Sequence, residues 1–112
     1  MGYSTSYELH SEPAVSFPIW SDVVSELRQF SEGARYALDE DGDTYESCKW
    51  YDHEVDLSDF SKTHPELRFI LHGEGEETGD IWAKHFVEGQ ICRCKAEIVI
   101  PEYNEINLVE FK

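Results

Sequence analysis

Two carboxylate-rich segments hold the residues whose types and spacing could do chemistry. The first, residues 39–46, reads DEDGDTYE, and the second, residues 72–82, reads HGEGEETGDIW. Dense carboxylates bind either divalent cations or the basic surface of another protein. The candidate partner-binding residues are the nine acids of these segments, namely Asp39, Glu40, Asp41, Asp43, Glu46, Glu74, Glu76, Glu77 and Asp80.

Neither segment fits a standard ion-binding or phosphate-binding loop. An EF-hand loop needs glycine at its sixth position and glutamate at its twelfth, whereas the first segment places Gly42 fourth and Trp50 twelfth. The second segment sets its glycines beside glutamates that would repel a phosphate. Glu74 with Glu76, or Glu76 with Asp80, could chelate a divalent cation, but no His or Asp partner lies at ligand spacing nearby. We predict no metal and no cofactor, and keep a metal-binding protein or small metal-dependent enzyme using the glycine–acid loop as an alternative.

Catalytic chemistry has less support in the sequence. His53 lies between Asp52 and Glu54, and we expect these neighbours to hold it protonated. A general base also needs a nucleophile or an activated water. The sequence has no G-x-S-x-G, no H-E-x-x-H and no Cys with an obvious His partner. No catalytic residue is predicted, and we lean against an enzyme.

The three cysteines are Cys48, Cys92 and Cys94. In a strand, the spacing of the last two puts them on the same face, and we expect all three to be small core residues. The alternative is a metal site with Cys48 and a His, although the C-x-x-C spacing and the fourth ligand of a zinc site are missing. Free thiols favour a reducing compartment.

The charge of the chain is concentrated in its middle. Between residues 39 and 80 there are 14 acids and three bases, a net of -11 within a formal total of -15. Such self-repulsion destabilises the compact state. A negative surface cannot hold nucleic-acid phosphates without cations, but it can bind a protein that is built to hold nucleic acid.

Hydrophobic periodicity predicts the order strand, helix, strand, strand, helix, strand, followed by two further strands. The segments are a strand at 3–10, a helix at 20–33, strands at 34–38 and 47–51, a helix from 56 to near 63, and strands at 67–71, 80–87 and 90–100. The turn at 39–43 and the loop at 73–79 carry most of the selected acids. Trp50, Tyr51 and Trp82 are expected in the core or on a sheet face.

The first six elements match the split β-α-β, or ferredoxin-like, arrangement. We therefore predict a single acidic α+β domain over residues 1–112. Its β-α-β-β-α-β antiparallel sheet has two helices on one face and is extended by a C-terminal β-hairpin. No run approaches the ~18 apolar residues of a membrane span, so we predict no membrane association.

Residues 36–95 carry a set of specific motifs. They are CKWYDHE at 48–54, FSK-x-x-P at 60–65, LHGEGEE-x-GD-x-W at 71–82 and G-x-x-x-x-CKAEI at 89–98, after an MGY-x-T start. In these motifs the chain resembles a group of small acidic proteins found as uncharacterised reading frames in bacterial and phage genomes. The resemblance implies common ancestry and a bacterial or phage origin, and it implies no catalytic residue.

Small acidic phage proteins often inhibit host defence, and some mimic nucleic acid to block restriction or CRISPR effectors. By this class-level analogy, the predicted function is an anti-CRISPR-like inhibitor. It would bind a host protein with a basic nucleic-acid-binding surface in the bacterial cytoplasm, without binding nucleic acid itself. A second alternative is an interaction module of a mobile element that forms a homodimer through an exposed sheet edge.

Overall fold

The computed structural model describes residues 4–44, 47–77, 79–96 and 102–110. Within these ranges the strands are β1 (Thr5–Glu12), β2 (Arg68–Gly75), β3 (Ile81–Val87) and β4 (Gln90–Lys95). The helices are α1 (Phe17–Phe30), α2 (Glu32–Ala37) and α3 (His53–Ser61), with a 3-10 turn at Glu105–Asn107. The strands form one antiparallel sheet in the order β1-β2-β3-β4. The predicted α+β class and antiparallel sheet are confirmed.

One face of the sheet carries the hydrophobic core. Leu9 pairs with Leu71, and Phe69 pairs with Phe86, so these side chains share a face and are fully or almost fully buried. The helices cover this face with buried residues that include Val23, Leu27, Leu57 and Phe60. Each such Leu or Phe side chain stabilises the fold by about 2 kcal/mol through burial. Two helices on one face were predicted, whereas the described residues form three, and all three contribute buried residues to this core.

The alternating positions of the four strands form the opposite face, which we call the open face. It presents His10, His72, His85, Cys92 and Cys94 together with Ile70, Ala83 and Val87. The helices described above all pack on the other side, so this face is left without a helical cover.

The strand predicted at 34–38 is wrong, because this segment lies in helix α2. The hydroxyl of Ser31 accepts a hydrogen bond from the Ala34 backbone N–H at 3.1 Å and caps the helix. Ala34 and Ala37, three residues apart, both face the core and are fully buried. A short apolar run of this kind suits either element, and packing decides between them.

The strand predicted at 47–51 is reduced to a single bridge, between Cys48 and Thr5. The chain before it follows the outer edge of β1, where the Leu9 N–H donates to the Gly42 carbonyl at 2.8 Å. Trp50 then turns into the core and α3 begins at His53. With a helix and a bridge in place of two strands, the ferredoxin-like order is not confirmed.

The C-terminal half follows the prediction more closely. Strands β3 and β4 extend the sheet as a hairpin, and its turn places Glu88 and Gly89 at φ 47° and 84°. Strand β2 continues beyond the predicted 67–71 into the glycine–acid loop. Residues 97–100 of the predicted last strand lie outside the described residues. Among the described helices, none has the length and apolar character to cross a membrane.

Candidate functional site

The turn at residues 39–43 is fixed in place by its own carboxylate and by contacts to two elements. The Asp39 Oδ1 atom accepts hydrogen bonds from the backbone N–H groups of Asp41 and Asp43, at 2.8 and 3.1 Å. The Trp20 indole N–H of α1 donates to the Asp41 carbonyl at 2.9 Å. Gly42 adopts φ 88° and lies against β1, a conformation that favours glycine. The sequence-predicted turn is therefore confirmed, and its backbone and the Asp39 carboxylate are held in position.

This turn carries four of the selected acids and brings the carboxylates of three of them together. Carboxylate oxygens of Asp39, Asp41 and Asp43 all lie within 4.8 Å of one another. Burial, with the added charges of Asp39, Glu8 and Asp41, raises the pKa of Asp43 above its usual value. Partial desolvation and the like charges around it therefore both favour the neutral form of the Asp43 carboxyl.

Strand β1 continues this charge onto the open face. Glu8, whose charge acts on Asp43, lines a shallow groove of about 150 Å³ together with Glu74 of β2. We call the set Glu8, Asp39, Asp41, Asp43 and Glu74 the acidic edge. Glu8 was not among the candidate residues selected from the sequence, because it belongs to a strand pattern and lies outside the two acid-rich segments. The alternation of β1 was the signal that could have placed it on the surface.

The other selected acids differ in where they lie. Glu40 is exposed and lines a second groove together with Asp39, Asp41 and Arg28, so it lies next to the acidic edge. Glu76, Glu77 and Asp80 follow the end of β2, where Gly75 pairs with Thr5. The turn at 39–43 contacts β1 at Leu9 instead, about 13 Å further along the strand at its usual rise. Glu46 lies outside the described residues.

Four of the eight Lys and Arg side chains in the described ranges form ion pairs elsewhere. Arg68 pairs with Glu12, Lys62 with Asp59, and both Lys84 and Arg93 with Glu54. Within the described ranges, no Lys or Arg comes within ion-pair distance of the aspartates in the acidic edge or of Glu74. Within the described ranges, the aspartates of the acidic edge and Glu74 thus have no Lys or Arg partner, whereas the Glu8 carboxylate pairs with His10 Nε2 at 2.6 Å.

A second constellation lies on the helix-covered face, where two motifs of the sequence meet. Trp50, His53 and Glu54 come from the CKWYDHE segment, and Trp82 and Lys84 come from β3, with Arg93 opposite on β4. We call these six residues the aromatic–ionic cluster. The His53 ring stacks on Trp82 at 5.3 Å between centroids, and a Cβ at Gly73 would overlap the Trp82 indole. This close approach accounts for a glycine in the middle of β2.

His53 is held neutral, contrary to the sequence-based expectation of a protonated histidine. Its Nδ1–H donates to the Trp50 carbonyl at 2.8 Å, and its Nε2 accepts from the Lys84 ammonium at 2.6 Å. Burial lowers the pKa of His53, and the charge of Lys84 lowers it further. Desolvation by the core thus outweighs the neighbouring acids, whose charges act in the opposite direction.

Glu54 is the centre of the ion pairs in this cluster. Arg93 donates two hydrogen bonds to its carboxylate, at 2.7 and 2.9 Å, and Lys84 donates a third at 2.9 Å. The hydrogen bonds from Arg93, with the smaller effect of Lys84, lower the pKa of Glu54 to about 2. The cluster therefore ties the start of α3 to β3 and β4.

The aromatic–ionic cluster lacks the parts of a catalytic site among the residues described. Both nitrogens of the His53 imidazole are engaged in hydrogen bonds. The nearby Tyr7 hydroxyl accepts a hydrogen bond from the Trp50 backbone N–H at 3.2 Å. No cysteine belongs to it: Cys92 and Cys94 are exposed on the open face, where core positions were expected. Trp50 is buried as predicted, whereas Tyr51 is 80% exposed. His53 was singled out from the sequence, but Lys84 and Arg93 were not. The available signal was the alternation of side chains in β3 and β4, which places these two residues on the same face.

In comparisons with protein-family models, curated proteins and solved structures, nothing matches this chain. The function is therefore argued from the chemistry of its surfaces.

Proposed function

We propose that this protein is a binding protein that inhibits a host nucleic-acid-binding enzyme by occupying its basic surface with the acidic edge. The observation that carries the proposal is a contrast among the described residues: in the acidic edge only Glu8 has a basic partner, His10, whereas Glu54 is paired with both Lys84 and Arg93. A free surface of this kind attracts a partner of opposite charge and accelerates encounter with it.

Position and rigidity support mimicry of nucleic acid. The carboxylates come from a turn locked by hydrogen bonds and from two neighbouring strands, so little conformational freedom is lost on binding. A protein surface built for phosphates offers Lys and Arg side chains at close spacing. The acidic edge would meet such a surface without carrying any base sequence, and the same charge excludes direct binding of nucleic acid.

The first partners to test are CRISPR effectors of a bacterial host. This choice rests on the resemblance of residues 36–95 to proteins of bacterial and phage genomes, and on the class of inhibitor that small acidic phage proteins include. The proposed location is the cytoplasm of the infected cell.

Charge reversal is the direct test. The variants Asp41→Lys and Asp43→Lys change the acidic edge, and Glu76→Lys and Glu77→Lys change the separate β2–β3 loop. A matched control reverses Asp22 and Glu66, which are exposed on the helical side. Binding to purified effectors, with and without their nucleic acid, would be measured by surface-immobilised kinetics at stepped salt concentrations.

We expect the acidic-edge variant to lose at least tenfold in affinity, about 1.4 kcal/mol or more, and the control variant to keep most of it. We also expect binding to weaken as salt rises and to compete with nucleic acid. If inhibition survives reversal of all four acids, mimicry by these residues is wrong. Equal losses in the edge and control variants would show that total charge, and not this edge, governs binding.

The metal-binding alternative, assigned from the sequence to the glycine–acid loop, has a second candidate set of ligands in the turn at residues 39–43. The clustered oxygens of Asp39, Asp41 and Asp43 suit a hard divalent cation, whereas the sequence had pointed to the glycine–acid loop. Calorimetry with calcium, magnesium, manganese and zinc separates the two functions, because mimicry needs no tightly bound metal.

A further inference from the structure

The open face contains an apolar groove that differs in charge from the rest of the molecule. The groove has a volume of about 440 Å³ and lies beside β4, lined by Arg68, His85, Val87, Cys92 and Cys94, with Gln90 and Ile91. None of these lining residues is acidic, although 24 of the 112 residues in the chain are Asp or Glu. The groove is thus an apolar patch without acidic lining residues, and its one arginine, Arg68, is paired with Glu12.

The described part of the C-terminal segment, residues 102–110, has the complementary character. Tyr103, Ile106, Leu108 and Val109 are 65–88% exposed. The segment also carries three glutamates and no Lys or Arg. Its hydrogen bonds, among the residues described, join positions within the segment, such as the Leu108 N–H to the Glu105 carbonyl. Exposed apolar side chains at four of nine neighbouring positions favour a surface that a partner covers.

We propose that residues 102–110 of one copy of this chain dock in the β4-side groove of a second copy. The apolar side chains of the segment would fill the groove, and its glutamates would approach Arg68 and His85. The guanidinium Nε atom of Arg68 is buried without a hydrogen-bond partner, although its terminal nitrogen pairs with Glu12. A symmetric exchange makes the contact twice, which is the usual way in which a dimer closes.

The segment is exposed in the single chain. This exposure favours docking in the groove of a second copy over docking in the groove of the same chain. Docking in trans covers both the groove and the exposed apolar residues of each copy. It also differs from edge-to-edge pairing, because the contact lies on the open face. The acidic edge is on the β1 side of the same sheet and stays free in this dimer.

Disulfide trapping tests the contact and its direction. A Cys48→Ser background keeps the two groove cysteines, and Leu108→Cys adds a thiol to the segment. After mild oxidation we expect a disulfide-linked dimer on non-reducing gels, with peptide mapping joining position 108 to Cys92 or Cys94. The same background with Leu108 retained is the control for dimers that link groove cysteines directly. A disulfide found only within one chain would overturn docking in trans.

Light scattering on the full chain gives an independent measurement without cysteine chemistry. We expect the average mass to rise toward a dimer with protein concentration. The variant Leu108→Asp with Val109→Asp should weaken this association by about tenfold or more, since two apolar contacts are lost on each side. The matched control is Ile19→Asp with Val55→Asp, which alters residues that are 54% and 60% exposed on the helices.

A monomer at every concentration, or a dimer that the segment variant leaves unchanged, would overturn the proposal. The segment variant should still bind the nucleic-acid-binding partner, because the acidic edge is untouched. The dimer and the proposed function can therefore fail separately.

Discussion

The aromatic–ionic cluster and the acidic edge treat carboxylates in opposite ways. In the cluster, Arg93 and Lys84 lower the pKa of Glu54 to about 2. At the edge, burial and neighbouring acids raise the pKa of Asp43. A charge with partners stabilises the fold, whereas a charge among like charges destabilises it. Lys84 and Arg93 thus pair within the first region, whereas the aspartates of the second have no Lys or Arg within ion-pair distance among the described residues.

The largest expected effect comes from removing the aromatic wall of the cluster. Trp82→Ala should lower the free energy of unfolding by about 3 kcal/mol, because it opens a cavity against Gly73 and His53. Urea denaturation followed by circular dichroism measures this change. Tyr51→Ala, at an 80% exposed position of the same motif, is the control and should stay within about 0.5 kcal/mol of the parent. If Trp82→Ala lost as little free energy of unfolding as the control, the aromatic–ionic cluster would not contribute to the stability of the core.

A smaller effect, of opposite sign in the two regions, is expected from neutralising one carboxylate in each. Glu54→Gln should destabilise by about 1–2 kcal/mol, because it removes charged hydrogen bonds to two cations. Asp43→Asn should leave stability unchanged or raise it by up to about 0.5 kcal/mol, because it relieves repulsion from Asp39, Asp41 and Glu8. Both variants are compared in the same denaturation assay. Destabilisation of equal size would contradict the inference that Glu54 stabilises the fold and Asp43 does not.

The smallest expected effect is on the pH dependence of stability. His53 has a pKa below 6.5 when folded, so unfolding takes up a proton and stability falls as the pH drops below about 6.5. Glu54 adds a further loss as the pH drops from 4.5 to about 2. Asp43 acts in the opposite direction. Its pKa is raised above 3.8 in the folded state, so the folded protein binds this proton at a higher pH than the unfolded chain and gains stability as the pH falls. Proton titration of the side chains by NMR checks each direction, and a His53 pKa above 6.5 would contradict the neutral imidazole.

Elements with a long or strictly alternating pattern were predictable from the sequence. The alternation at the start of the chain matches β1, and the helical spacing around Val23 and Leu27 matches α1. The β3–β4 hairpin followed from its two-residue turn. The failures are both short: α2 and the bridge at Cys48 occupy segments of about five residues, whose apolar pattern suits a helix or a strand equally well.

The sequence by itself determined the excess of acid, the turn at 39–43 and the alternation that buries one face of the sheet. These follow from composition and from local backbone preferences. Only the tertiary structure decided that Glu8 joins Asp43, that Lys84 and Arg93 share Glu54, and that His53 is neutral. The reason is that burial and charge pairing depend on strand register and on contacts between residues 30 to 40 positions apart in the chain. A local sequence pattern carries no information about such contacts.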